Sequence, residues 1–315
     1  MENYWFFEEM GKVKQTLITG ATGFVGKSLQ SYLSPTFEME LLSVRYLPNP
    51  RFEIKSDAII HLAGKAHDLK KVSNPREYYE SNFELTRQMF DAFLTSKASV
   101  FIFMSTVKAV ADEVKGVLTE QTNPNPKTHY GIAKYQAEQY ILSKELPSEK
   151  RVYILRPCII HGPGNKGNLN LLYQLVEKGF PWPLGAFENK RSFLSIENLC
   201  FVIKELLENE NIPSGVYQLA DDESLSTNEL IQLLSNTLER KCSIWPISVS
   251  WIKRMAKIGD HLCLPLNSER LQKLTENYIV SNDKIVKAIG KSLPISSEEG
   301  LRRTFISFRK KKLYK

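Results

Sequence analysis

The feature that most constrains this chain is a short apolar run stopped by glycines. Gln15-Thr-Leu-Ile-Thr19 is followed by Gly20-Ala-Thr-Gly-Phe-Val-Gly26 and then by a stretch of helical character over residues 27–33. An apolar run of that length, bounded by glycine, reads as a buried strand. Glycines spaced GxxGxxG between a strand and a helix make a turn whose backbone N–H groups face an anion. The first glycine permits the tight turn, the second lets the backbone approach a pyrophosphate, and the third lets helix and strand pack closely. Gly20, Thr22, Gly23, Phe24, Val25 and Gly26 are the expected contacts to a dinucleotide.

The rest of the first half repeats the alternation. Residues 39–45, 57–62, 99–104 and 151–155 read as strands, the last stopped by Pro157, and residues 75–94 and 130–146 read as helices. Strands alternating with helices predict an α/β, Rossmann-type, doubly wound parallel sheet, with the cofactor at the strands' C-terminal edge. After residue 160 the texture changes: Gly162-Pro-Gly164 and Pro181-Trp-Pro183 punctuate loops between shorter helices. The expected division is a preamble over 1–13 and a dinucleotide-binding domain over 14–160. A smaller C-terminal substrate domain over 161–301 follows, with about 192–220 returning to the first domain, and a basic tail over 302–315.

Tyr130-Gly-Ile-Ala-Lys134 places a phenol and an ammonium one helical turn apart, on one face. An ammonium near a phenol lowers its pKa and makes it a usable proton donor or acceptor. Ser105-Thr106 ends the fourth strand, where a hydroxyl can hold a substrate oxygen. Thr106, Tyr130 and Lys134 are the expected catalytic residues. At the end of the second strand no acid is present to read a ribose 2′-hydroxyl; Arg45 there favours the 2′-phosphate of NADP, with NAD as the alternative.

Thr19-Gly-Ala-Thr-Gly-Phe-Val-Gly26, His61-Leu-Ala-Gly64, Asn82, Ser105-Thr106 and Tyr130-xxx-Lys134 together resemble the extended short-chain dehydrogenase/reductase family. Leu155-Arg-Pro157, His161-Gly-Pro-Gly164, Lys166-Gly-Asn168, Pro183-Leu-Gly185 and Arg191-Ser-Phe-Leu-Ser-Ile-Glu197 resemble its nucleotide-sugar epimerase and 4-ketosugar reductase branch. Residues 298–304 look like that family's closing helix. The resemblance implies that Leu62, Ala63, Gly64, Asn82 and Pro157 line the cofactor, that Lys134 also binds its ribose, and that Asn168, Arg191 and Arg270 contact the substrate's diphosphate. Asn82 matches an Asn that opens the helix before the Ser/Thr strand. The implied reaction is reduction of a UDP-linked 4-keto-6-deoxy-N-acetylhexosamine, with Tyr130 supplying the proton. The alternative is a UDP-sugar 4-epimerase with tightly bound NAD, and a remoter one a non-catalytic dinucleotide-sensing protein. A homodimer built on residues 78–96 and 130–146 is also implied. The chain departs from the family's pattern where Ala109-Val-Ala111 replaces a Val-Tyr-Gly and where His161 stands for a Tyr.

Composition narrows the partners. The formal charge is +7, and residues 302–315 alone carry seven bases and no acid, so the remainder is neutral. A groove that tracks nucleic acid is not expected. Cys158, Cys200, Cys242 and Cys263 have no metal-ligand spacing, and no metal is expected. Free thiols and the absence of an apolar run near the roughly 20 residues of a span suggest a cytoplasmic protein. The N-terminal stretch lacks the pattern of a signal peptide. His67 is a second-rank candidate for reaching substrate, and His129 and Cys158 read as non-functional. Residues 244–258 are amphipathic, with two Trp, and read as a packing face before a membrane-interface one.

Overall fold

The computed structural model describes residues 13–65, 74–165, 169–262 and 267–313. The elements in chain order begin with β1 (Gln15–Thr19), α1 (Phe24–Leu33), β2 (Glu38–Leu42), β3 (Ala58–His61), α2 (Pro75–Tyr79), α3 (Leu85–Thr95) and β4 (Val100–Met104). They continue with β5 (Val117–Leu118), α4 (His129–Leu142), β6 (Arg151–Pro157), β7 (Ile159–His161), α5 (Leu169–Glu177), β8 (Arg191–Ser195), α6 (Ile196–Glu208) and β9 (Gly215–Leu219). The last are β10 (Ser224–Leu225), α7 (Thr227–Leu238), α8 (Val249–Leu262), α9 (Ser268–Thr275), β11 (Ile279–Val280), α10 (Asp283–Ile289) and α11 (Ser297–Leu313). They form two compact units, one of residues 1–109, 126–155 and 202–216, the other of residues 110–125, 156–201 and 217–315.

The main sheet has six strands in the order β2-β1-β3-β4-β6-β9. The pairs β1–β2, β1–β3, β3–β4 and β4–β6 are parallel. This is the doubly wound architecture the alternation predicts: the chain goes from β1 outward to β2, then returns to β3 on the other side. A crevice opens at such a reversal, outside the strands' carboxyl ends. β3 and β4 are apolar throughout but for His61, and are buried throughout, as expected of strands covered on both faces. Leu17, Ile59, Phe90, Phe93, Phe101 and Phe103 fill one core cluster against α3 and α4. Lys150 closes the C-terminus of α3 by donating to the carbonyls of Phe93, Ser96 and Ala98 at 3.1, 2.9 and 2.6 Å.

Four sequence expectations need correction. The second strand stops at Leu42 instead of 45, because its ladder partner β1 ends at Thr19, opposite Leu42. The helix over 75–94 contains a π turn at Glu80–Glu84 between α2 and α3. The helix over 130–146 ends at Leu142, where the C-cap Ser143 turns its hydroxyl back onto the Tyr140 carbonyl at 2.8 Å. Pro157 does not stop the fifth strand but is its last residue; β4 has already ended, so no ladder partner needs the missing N–H.

In the second unit β7 and β8 run parallel and β8 and β10 antiparallel, while β5 pairs with β11. Trp182, Leu184, Leu230, Ile231, Leu234 and Phe305 lie in its core. A capping box opens α7: Glu229 N donates to Ser226 Oγ, and Ser226 N donates to the Glu229 carboxylate. Residues 302–309, read as the start of a basic tail, are helical. Thr304, Phe305 and Phe308 are buried, and Arg302 and Arg303 pair with Glu298 and Glu299, each at 2.8 Å. The preamble up to residue 12, His67, Asn168 and Cys263 lie outside the described residues. Among the described residues no helix is long and apolar enough to cross a membrane.

Candidate active site

The glycine turn is shaped for an anion. Gly20 has φ +70°, and a Cβ there would stand 2.8 Å from Ala63 N, so only glycine lets β1 and the end of β3 lie this close. Gly26 packs against the backbone of Gly20 and Ala21. Gly23 caps α1, with no side-chain cap and no acid in the first turn. The leading N–H groups of the helix are thus left to an outside acceptor. Thr22 and Gly23 are exposed, Phe24 and Val25 half-buried. These features fit the pyrophosphate of a dinucleotide.

Beside the turn a hydrogen-bonded chain fixes the end of β3. Ala63 N donates to Thr19 Oγ1 at 3.2 Å, and Thr19 Oγ1 lies 2.8 Å from His61 Nδ1. His61 Nε2 lies 3.1 Å from Thr86 Oγ1, which donates to the Asn82 carbonyl at 2.9 Å. Every group is satisfied when Thr19 donates to Nδ1 and Nε2 carries the imidazole proton. Burial, then the Lys134 cation, lowers the His61 pKa to about 3, so the ring is neutral. Asn82 lies inside the π turn and opens no helix; its two amide protons go to the carbonyls of Lys65 and Tyr78, both at 3.1 Å. Its Oδ1 accepts from Lys65 N at 3.1 Å, so it holds the Gly64 loop. A Cβ at Gly64 would meet Asn82 Oδ1 at 2.5 Å, and Lys134 Nζ stands 3.3 Å from the same point. The loop after β3 therefore presents bare backbone next to the lysine. Leu62 is half-buried and Pro157 buried at the end of β6. Arg45 is exposed, three residues past the end of β2.

Thr106, Tyr130 and Lys134, the residues expected to be catalytic, come together where β4 ends. Thr128 caps α4 by accepting from Gly131 N at 3.2 Å, and Gly131 packs its backbone on the Lys108 carbonyl. That contact brings Tyr130 beside Thr106 at the end of β4. Burial pushes the Tyr130 pKa up to about 12, and the neighbouring Thr106 hydroxyl opposes the rise. The expectation that Lys134 lowers it is not met. Lys134 Nζ donates to the Met104 carbonyl at 2.7 Å and lies over the Phe103 ring, while the phenol is desolvated. Lys134 is itself buried, which lowers its pKa to about 7 against the opposing pull of Glu138. Glu138 is fully buried and accepts from Ser105 Oγ. Sequence reasoning missed it, although it stands one turn past Lys134 on the face that also carries Tyr130. His129 bonds Tyr79 through Nδ1 at 3.2 Å, and its ring lies edge-on to the tyrosine.

In the second unit Arg191 begins β8. Its guanidinium donates to the Lys273 carbonyl and pairs with Glu276 at 3.2 Å. Its Nε is buried and has no hydrogen-bond partner among the described residues. Burial lowers the Arg191 pKa, and Glu276 opposes that. Arg270 is an exposed residue of α9. Cys158 is buried, and its thiol is pushed well up by desolvation and by Asp221, as befits a packing residue.

The profile of the NAD dependent epimerase/dehydratase family matches residues 50–220. The UDP-glucose 4-epimerase of Vibrio cholerae is 28% identical over 94% of this chain and 95% of its own. The GDP-6-deoxy-D-mannose reductase of Pseudomonas aeruginosa is 24% identical over 73% of this chain and 82% of its own. The solved structure of RMD from Pseudomonas aeruginosa, complexed with NADPH, superposes with a TM-score of 0.69 at 21% identity, over 94% of this chain and 99% of that one.

Proposed function

The chain belongs to the NAD dependent epimerase/dehydratase family, and within it we propose a reductase of nucleotide-activated 4-keto sugars. The substrate is a UDP-linked 4-keto-6-deoxy-N-acetylhexosamine, a precursor of surface polysaccharide. The observation that carries the reading is the single turn of α4 that sets Tyr130 and Lys134 on one face, with Lys134 Nζ donating to the Met104 carbonyl at the end of β4 at 2.7 Å.

The cofactor, when bound, supplies the hydride that turns the C4 ketone into an alkoxide. Tyr130 gives its proton to that oxygen, and a phenol raised to about 12 enters the step protonated. Thr106 holds the same oxygen on the Tyr130 side. Lys134 holds the ribose hydroxyls beside the bare Gly64 backbone. Gly20 to Gly26 take the pyrophosphate, and Arg45 takes a 2′-phosphate, so NADP is the proposed cofactor. Arg191 anchors the diphosphate of the sugar nucleotide through its guanidinium, with Asn168 and Arg270. Binding energy from that remote group orients the reacting carbon. The proposed protein is a homodimer.

The experiment is absorbance at the NADPH band with the UDP-4-keto sugar, wild type beside Tyr130→Phe. Consumption by wild type alone supports the reading; none by either opposes it. A second reading, a UDP-sugar 4-epimerase, is favoured by the full-length similarity to the Vibrio enzyme. It requires NAD that stays with the protein through purification and no net cofactor consumption.

A further inference from the structure

The amphipathic segment at 244–258 resolves into three faces of α8. Ile252, Ala256 and Gly259 are buried, and Ile252 and Ala256 join the core of the second unit. The packing-face reading is therefore right for one side. On the adjoining side Trp251, Met255, Ile258 and Leu262 stand 63, 49, 49 and 64% exposed. Their spacing of four, three and four residues sets them within an arc of about 60°. Trp245 and Ile247, leading into the helix, are exposed as well. The third side carries Lys253, Arg254 and Lys257, all exposed. The one acid of the helix, Asp260, accepts from Ser268 N and Oγ at 2.8 and 2.6 Å.

Among the described residues the outer apolar row stays exposed, while the inner face fills the core. An exposed apolar row of this kind marks an interaction surface. A row of Trp, Met, Ile and Leu, bordered by lysine and arginine, is the composition of a helix lying in a bilayer interface. Tryptophan favours headgroup depth. Lysine and arginine lay their stems along apolar surface and keep their charges at the phosphates. A second α8 is a poor occupant, since two-fold pairing sets like charges against one another.

We propose that α8 docks this protein onto an anionic phospholipid surface, with Trp251, Met255, Ile258 and Leu262 seated at the acyl boundary and Lys253, Arg254 and Lys257 on the headgroups. The association is peripheral and leaves the catalytic residues of the first unit chemically untouched.

The test is sedimentation of the full chain with vesicles of phosphatidylglycerol and phosphatidylcholine, and with phosphatidylcholine alone. The wild type is expected to pellet with the anionic vesicles and to be released by salt. A Trp251→Ser, Ile258→Ser double variant is expected to lose roughly tenfold or more in partitioning. Lys253→Gln with Arg254→Gln is expected to lose about severalfold, together with much of the salt dependence. Both variants should keep the wild-type melting transition, since only exposed side chains change. Failure of the wild type to pellet, or pelleting that survives the double variant, overturns the proposal. A concentration-dependent dimer that the double variant dissociates, without vesicle binding, overturns it in favour of a contact between copies.

Discussion

The two compact units each end a strand with the same three residues, Ile59-Ile60-His61 in the first and Ile159-Ile160-His161 in the second, and each buries its imidazole completely. A threonine hydroxyl meets Nδ1 in both, Thr19 at 2.8 Å on His61 and Thr304 at 2.9 Å on His161. The other nitrogen meets different company. His61 Nε2 finds the Thr86 hydroxyl, and the charge that acts on the ring is the Lys134 cation. His161 Nε2 faces Asp221 Oδ2 at 3.4 Å, and Asp221 also accepts from Ser195 N and Asn198 Nδ2. One local design thus serves two electrostatic settings. The first unit holds Lys134, an amine whose pKa burial lowers to about 7, near its strand ends. The second holds an anion that braces Ser195, the end of the strand that Arg191 begins.

If chemistry belongs to the first unit and anchoring to the second, substitutions should separate the two. Tyr130→Phe should lower kcat for ketone reduction by ~10²–10⁴, with UDP affinity by calorimetry unchanged; a parallel fall in affinity breaks the comparison. Glu138→Gln replaces the buried carboxylate that accepts from Ser105 Oγ, which should cost about 2 kcal/mol in urea unfolding. It should also drop the Lys134 pKa further, because Glu138 is what raises it. Arg191→Ala should raise KM for the sugar nucleotide roughly tenfold or more, about the worth of a charge-assisted hydrogen bond, and lower kcat far less than Tyr130→Phe does. Thr128→Ala and Ser226→Ala each remove an N-cap and should each cost about 1 kcal/mol. Only Thr128→Ala should also lower kcat, since α4 carries Tyr130. The smallest effect concerns pH. A phenol raised to about 12 keeps its proton through neutral and mildly alkaline conditions. Tyr130 should therefore contribute no fall in kcat/KM for reduction until well above that range.

What was legible in the sequence has a physical pattern. The glycine turn and the Tyr130–Lys134 pair show themselves because their chemistry imposes a spacing along the chain. Glu138 hides because the face of α4 that carries Tyr130, Lys134 and Glu138 is polar and yet turned inward, with Lys134 and Glu138 buried. Hydrophobic periodicity there points the wrong way. The Arg191–Glu276 pair joins residues 85 positions apart, and β5–β11 is a two-residue pairing. Neither leaves a local signal. β7 escapes notice as three residues just past a proline. The C-terminal bases look like a tail in composition, but Leu301, Phe305 and Phe308 at helical spacing bury one side of α11.

In the proposed reaction hydride reaches C4 of the sugar while Tyr130 supplies the proton. The most direct measurement is a single incubation with NADPH deuterated on the transferring face, followed by mass spectrometry and proton NMR of the sugar nucleotide. One deuterium is expected at C4 of the product, matched by oxidised cofactor and absent with Tyr130→Phe. A product without deuterium, formed by interconversion of UDP-sugars on protein that keeps its own NAD, would contradict it.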